Sequence, residues 1–484
     1  MRHISESAST GGEAADCGYR DSIATVEPYG IDHIPDVERH GRPISQFYVW
    51  FAAGLNFPIM VLGFSAAWFG LSLWQAVTAV VAGAGVGSVL MGVLSRMGVR
   101  LGVAQQMQAR GPLGFVGNML PVAYINVFAG IGWAALTVIL GGKALGEITG
   151  LPFVVSAAGL VGVQLLVAVF GYNMIHLLQK VLSYVLVVLF TIMTVVAVVR
   201  GSSSLDANPA AGGYIGSFGG WVTLFGWFLA FLVAWTPFAS DYSRYLPDDR
   251  AVSMRAGWYT GLGNFVTLAW LGIAGAVVAG AATETDPIAA VKELTGPWAV
   301  PALLAILLSS LSQNFLNVYG GAISLQTLGL PVSRVQAVVC ICLASFGVSL
   351  WAEAGVYDKF TVFLNLTSYF IAPYVTVVLL DYAVGGRKDK SRIPELFDRT
   401  RLLEWGFVAW AAGVAASVPF WQSSLYTGPL ADDFGGGDWS MLVGFTAAAV
   451  TWFATYRLPT LWRTGRRVAA PAPSDEAVDA MEAK

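Results

Sequence analysis

GLNFPIMVLGFSAAW (residues 54–68) and LVAWTPFASDYSRYL (residues 232–246) are the two stretches whose reading decides the fold. Each belongs to a long apolar run of the kind that crosses a bilayer as a helix, and each carries a proline, Pro58 or Pro237, well inside it. Proline lacks a backbone donor and clashes with the carbonyl four residues earlier, so a helix bends or opens there. Opened backbone survives in a bilayer only where protein buries it or it lines a wet cavity. The two runs are the first and sixth apolar spans of the chain. Broken helices at those places are the pattern of membrane proteins built from two inverted repeats.

The whole composition agrees with a membrane setting. The chain has 484 residues, of which 56% are hydrophobic and 12% charged, and its mean hydropathy is +0.64. Soluble domains carry about 25% charged residues, so the sequence predicts an all-α polytopic membrane protein. A net charge of −3 offers no basic face to nucleic acid. Cys17, Cys340 and Cys342 form neither a disulfide framework nor a metal-ligand spacing. His3, His33, His40 and His176 are expected outside the apolar runs.

Residues 1–44 are polar, carry eight acidic residues and have no basic-then-apolar leader pattern, which predicts a mobile cytoplasmic tail. Twelve apolar runs follow, each near the roughly 20 residues that cross a bilayer: 45–68, 73–95, 114–142, 152–170, 178–199, 217–240, 256–281, 298–328, 335–351, 360–384, 403–421 and 439–457. They are called spans 1 to 12 below. With the N-terminus inside, 23 of the 27 Lys and Arg residues fall on inner segments, leaving only Lys143, Arg200, Lys292 and Lys359 outside. A miscounted span would invert the sides downstream and destroy that bias, so the positive-inside rule predicts twelve spans with both ends cytoplasmic. Glycines within the spans, such as Gly83, Gly85, Gly130 and Gly320, read first as close helix packing in lipid.

Few titratable groups are expected at membrane depth; Lys180, Asp381 and Glu404 fall at span ends. Intramembrane charge usually marks an ion or proton path. The best candidate for a proton is Asp241 in SDYSRYLP, expected to pair with Arg244 three residues on. Span 8 is polar instead: Ser309, Ser310, Ser312, Gln313, Asn314, Asn317 and Tyr319 fall within eleven residues. Ser309, Ser312 or Gln313, and Asn317 share a helical face. Hydroxyls together with freed backbone carbonyls suit a small hard cation. Amides both donate and accept, which suits the edge of a heterocycle. Ordinary interhelical hydrogen bonding explains one such serine, whereas seven polar groups in one span favour a site. Trp133, in the span 3 motif GIGW, lies at depth although tryptophan prefers the interface. Stacking on a flat ligand and core packing are equally open to it. Trp227, Phe231 and Trp235 of span 6 read mainly as packing.

With those motifs in view, the chain resembles the nucleobase:cation symporter-1 family and is most similar to its purine/cytosine permease branch. The likeness runs over about residues 30–460. It includes GIDHIPDVERHG (30–41), QMQARGPLGFVGN (106–118) and FLNLTSYFIAPYVTVVLLDY (363–382). The resemblance implies a LeuT-like fold: inverted five-helix repeats over 45–199 and 217–384, with helices 1 and 6 broken. Two peripheral helices would follow within 403–457, and then a cytoplasmic tail, 458–484. It implies alternating access around a planar nitrogenous ring held by spans 1, 3, 6 and 8. By position, Trp133 matches the family's stacking tryptophan, Thr137 a polar residue that reaches the ligand, and Asn314 and Asn317 the span 8 asparagines. Leu232 stands where the span 6 aromatic is expected, so Phe231 or Trp235 takes that part. In sodium-coupled members the ion lies between spans 1 and 8. That points here to Asn56, Ile59, Ser309, Ser312 and Gln313, with Gln313 in place of a hydroxyl residue.

These expectations describe a symporter of the cell membrane that imports a nucleobase or related heterocycle with Na+, or with H+ as the alternative, and needs no other cofactor. Its partners are then the ligand, the cation and the bilayer. Another ligand class (allantoin or hydantoin, a vitamin pyrimidine, an amino acid) or a non-transporting scaffold are the competing readings. An intramembrane enzyme would need a catalytic dyad or metal ligands at depth, and no His, Asp, Glu or Cys constellation is spaced for one.

Overall fold

The protein is described by a computed structural model covering residues 29–201, 217–423, 425–431 and 433–463. Among these residues nine helices are long and apolar enough to cross a bilayer, and the bent pair Ser45–Gly54 and Phe57–Phe64 makes a tenth. The ten fall at expected spans 1 to 10. Two shorter apolar helices, Trp405–Phe420 and Ser440–Thr455, occupy the places of spans 11 and 12.

Span 1 breaks as expected, for a different local reason. The two halves meet at 52°, but the break falls at Leu55 and Asn56, ahead of the proline. Asn56 is extended (φ −137°, ψ 151°), and its side chain accepts from the Ile59 N–H as an N-cap. Pro58 then lies in the first turn of the second half, where no backbone donor is needed. In span 6 the helix Ser217–Trp235 gives way to a 3-10 turn, Thr236–Phe238, around Pro237. The chain continues in turns to Tyr245.

Several boundaries differ from expectation. Span 2 runs over Leu73–Leu101, past the expected end at 95, because Arg96 and Arg100 are tolerated at its rim. The stop is Gly102, in the left-handed region. Span 5 begins at Tyr172 and not at 178, because Gly171 (φ 79°) is the last break before it. His176, expected outside the apolar runs, therefore lies in this helix with its ring 4.2 Å from that of Tyr172. Lys180 sits two turns inside. Span 3 contains a π-helical stretch, Asn126–Gly132, directly before Trp133.

The spans pack as two groups. Spans 6 and 7 each pack on spans 1 and 2, and spans 3, 4, 8 and 9 contact one another. Small residues allow the closest crossings: a Cβ at Gly63 would collide with the Gly272 carbonyl of span 7, and one at Gly130 would meet Gly321 Cα at 3.1 Å. Spans 10, 11 and 12 pack together along one side, with Gly413 and Gly444 against Pro373.

The expected mobile tail divides. Residues 1–28 lie outside the described part, whereas residues 29–44 are docked across one face of the bundle, called the N-face below. Ile34 is buried and donates its N–H to Gly102 O at 2.9 Å. Arg39 donates to Val99 O at 3.0 Å, and His40 N–H to Tyr245 O at 2.6 Å. Arg244 holds the same segment through Gly30 O at 2.8 Å, and Asp241 accepts the Gln105 N–H at 2.8 Å.

Candidate substrate and cation site

Trp133 stands at the seam between the two groups of spans. The π turn that precedes it is fixed by Asn126, whose amide donates to Gly321 O at 2.7 Å. Three rings meet its indole edge-on: Phe231 of span 6 at 5.1 Å, and Phe363 and Phe360 of span 10 at 5.3 and 5.8 Å. Trp133 is buried, and its indole N–H has no partner.

One turn further on, the Thr137 hydroxyl lies 2.5 Å from Asn314 Oδ1. Asn314 donates to Ala134 O at 3.0 Å and accepts from Asn317 Nδ2 at 2.8 Å. Asn317 Oδ1 and both amide atoms of Gln313 are buried without partners. A buried amide left unpaired costs about 1–3 kcal/mol. Trp133, Thr137, Asn314 and Asn317, assigned from the resemblance, thus form one contiguous patch with an unpaired indole N–H and an unpaired amide oxygen.

The three span 6 candidates face different neighbours. Phe231 is the residue on Trp133. Trp235 faces span 1 instead, edge-on to Trp50 at 5.7 Å, and packs on Phe238. Leu232 turns away toward Gly87 of span 2, where an added Cβ would meet it at 2.7 Å.

The expected cation residues divide in the same way. Ser312 Oγ lies 3.1 Å from Ala52 O of span 1 and 2.7 Å from Gln179 Oε1 of span 5, while Gln179 Nε2 donates to Ser312 O at 2.7 Å. This joins spans 1, 5 and 8 beside the break and gathers three oxygen types suited to a hard cation. Asn56 is engaged locally, donating to Ala53 O at 2.5 Å while capping Ile59. Ser309 bonds Ile306 O at 2.9 Å within its own helix. Gln179, one of two amides in NMIHLLQK, carries no distinctive signal in the sequence because it falls at the expected start of span 5. Sequence reasoning also passed over Phe360 and Phe363, which look like any other apolar residues of span 10.

A ten-span helical bundle with a broken first helix and a buried ring-and-amide patch at its centre defines a polytopic membrane permease. The family model for permeases of cytosine/purines, uracil, thiamine and allantoin matches residues 33–444, and the chain belongs to that family, nucleobase:cation symporter-1. Its relatives are permeases and not enzymes. YxlA of Bacillus subtilis, assigned to the purine-cytosine permeases, is 29% identical over 88% of this chain and 95% of its own length. The hydantoin permease of Microbacterium maritypicum is 24% identical over 79% of this chain and 82% of its own. Among solved structures, the nucleobase-cation-symport-1 transporter MHP1, closed with bromovinylhydantoin bound, superposes with a TM-score of 0.72 at 19% identity. That alignment covers 90% of this chain and 97% of MHP1, and shows the fold.

Proposed function

We propose that the protein is a secondary active symporter that imports a nucleobase, cytosine or a purine, or a closely related planar heterocycle, by alternating access. The observation that carries this reading is the patch at Trp133, where a buried indole is linked through Thr137 and Asn314 to the unpaired Asn317 Oδ1. The ring lies on Trp133 with Phe231 as its wall, and Thr137, Asn314 and Asn317 read its hydrogen-bonding edge. The coupling ion is Na+, held between Ser312, Gln179 and the carbonyls before the span 1 break, with Asn56, Ile59, Ser309 and Gln313 around it. H+ is the competing ion. Twelve spans, ten of them in two inverted repeats of five, place both termini and the N-face in the cytoplasm of a cell-membrane protein.

The cation orders the seam and so raises ligand affinity, and by linkage the ligand raises cation affinity by the same factor. The test is uptake of radiolabelled cytosine into cells expressing the protein, with sodium present or replaced by choline, at two pH values. Saturable, sodium-dependent uptake is expected. Uptake that follows pH and ignores sodium would overturn the Na+ assignment and move attention to Asp241. Hydantoin competing while cytosine and purines fail would overturn the nucleobase assignment, an outcome made concrete by the hydantoin permease among the relatives.

A further inference from the structure

A second feature lies away from the seam, on the lipid-facing side of spans 2 and 7. These helices, Leu73–Leu101 and Arg250–Ala281, cross almost backbone to backbone: a Cβ at Gly92 would meet Gly257 O at 2.7 Å, and one at Gly261 would meet Ser88 O at 3.2 Å. The missing side chains leave a groove of about 480 Å³ whose lining is almost wholly apolar. Val89, Trp258 and Leu262 on its walls are exposed, so it opens to the hydrocarbon and not to the seam.

Two polar groups break the apolar lining. Ser88 is buried, and its hydroxyl has no hydrogen-bond partner. Arg96 lines the N-face end of the groove. Among the described residues it makes no hydrogen bond or ion pair, whereas Arg100, one turn on, is paired with Asp248 at 2.9 Å. Helical side chains lean toward the helix N-terminus, which turns Arg96 back along the groove. A Cβ at Gly257 would meet Arg96 Cγ and Cδ at 2.8 Å, so its stem lies level with Gly92. Neither an acyl chain alone nor a free anion matches both a long apolar trough and a charged mouth.

We propose that this groove binds one phospholipid with an anionic headgroup. Its phosphate would lie on Arg96, its glycerol ester would accept from Ser88, and an acyl chain would fill the trough against Gly85 and Phe265. Basic residues between spans at a membrane face act in this way on anionic headgroups.

The test is native mass spectrometry of the full-length protein, exchanged from equimolar phosphatidylglycerol and phosphatidylcholine nanodiscs into mild detergent. The wild-type chain is expected to retain phosphatidylglycerol in preference to phosphatidylcholine. Arg96→Gln should lower that retention about fivefold, the effect of one basic residue near an anionic surface. Gly85→Phe fills the trough, since an added Cβ there meets only Phe265, at 3.8 Å. It should reduce retention of both lipids while the protein elutes as a folded species. Equal retention of the two lipids, or no change on Arg96→Gln, would overturn the proposal. So would displacement of the lipid by millimolar inorganic phosphate, which would show an anion site without a lipid.

Discussion

Trp133 owes its place to backbone as much as to ring packing. The π turn rotates the rest of span 3 relative to its first half, and the Gly130–Gly321 contact sets how near span 8 can come. Three phenyl rings stand nearly perpendicular to the indole and hold it in place. Base-on-aromatic stacking contributes about 1–3 kcal/mol, so Trp133→Ala should weaken ligand binding by about tenfold to a hundredfold while membrane insertion is unchanged. A radioligand assay on purified protein measures this, and unaltered affinity would remove Trp133 from the site. Gln313 gives a prediction of the opposite kind. Both its amide atoms are buried and unpaired, a state that costs about 1–3 kcal/mol in the empty protein. Gln313→Leu should therefore raise the Tm of the unliganded protein and lower uptake; a fall in both would make the residue structural. The burial of Trp133, Asn314 and Asn317 was legible from sequence, because long apolar runs enclose them. That Phe231 and not Trp235 meets Trp133 was not legible, since it depends on which way each side chain leaves an opened helix.

At the scale of elements, the break in span 1 is a capping event. Asn56 satisfies donors and acceptors on both sides of it, and removing an N-cap costs about 1 kcal/mol. Asn56→Ala should lower the Tm and weaken the sodium dependence of uptake, whereas Pro58→Ala, at a first-turn position, should change stability little. Equal effects of the two substitutions would return the break to the proline. Prolines in apolar runs revealed that helices 1 and 6 open, because proline's chemistry is local. They did not reveal the residue at which span 1 opens, because a cap competes with a proline at this range and the cap prevails. Helix ends were misjudged for a related reason: at the membrane rim, charged side chains extend toward water without ending the helix, and a left-handed glycine such as Gly102 is the firmer stop. The π stretch has no compositional signal at all.

At the scale of the molecule, the two faces are closed by different chemistry. The N-face carries the docked segment 29–44 and an ionic network centred on Glu395, which bonds Arg387 and Arg401 at 2.6 Å each and Arg392 at 3.1 Å. Partial burial alone would raise the Glu395 pKa, but hydrogen bonds from Arg392 and Arg387, with their charges, hold it down to about 2. Its contribution is full above the ordinary carboxylate range and is lost only as pH falls toward 2. The opposite face is tied by Asp438, which accepts from the Tyr369 hydroxyl of span 10 at 2.8 Å and from the Ser440 N–H at 3.0 Å. Burial pushes the Asp438 carboxyl up to about 6 despite these bonds. A raised carboxylate stabilises the fold below its ordinary pKa and loses that contribution as pH climbs through 6. Hydrogen exchange in residues 433–440 should therefore quicken between pH 5 and pH 7 beyond the intrinsic rate. Asp438→Asn should abolish the excess, and an unchanged profile would dismiss the carboxylate as its source. The membrane class and the order of the spans were legible from composition and charge, which act over the whole chain; this latch joins residues far apart in sequence and was not. The interrupted first helix has one more consequence. Ser45–Gly54 ends in carbonyls and Phe57–Phe64 begins with amides, so within two residues the chain presents the negative pole of one helix dipole and the positive pole of another. The break therefore favours positive charge at its Ala52 end and electron-rich atoms at its Ile59 end, a polarity set by backbone alone.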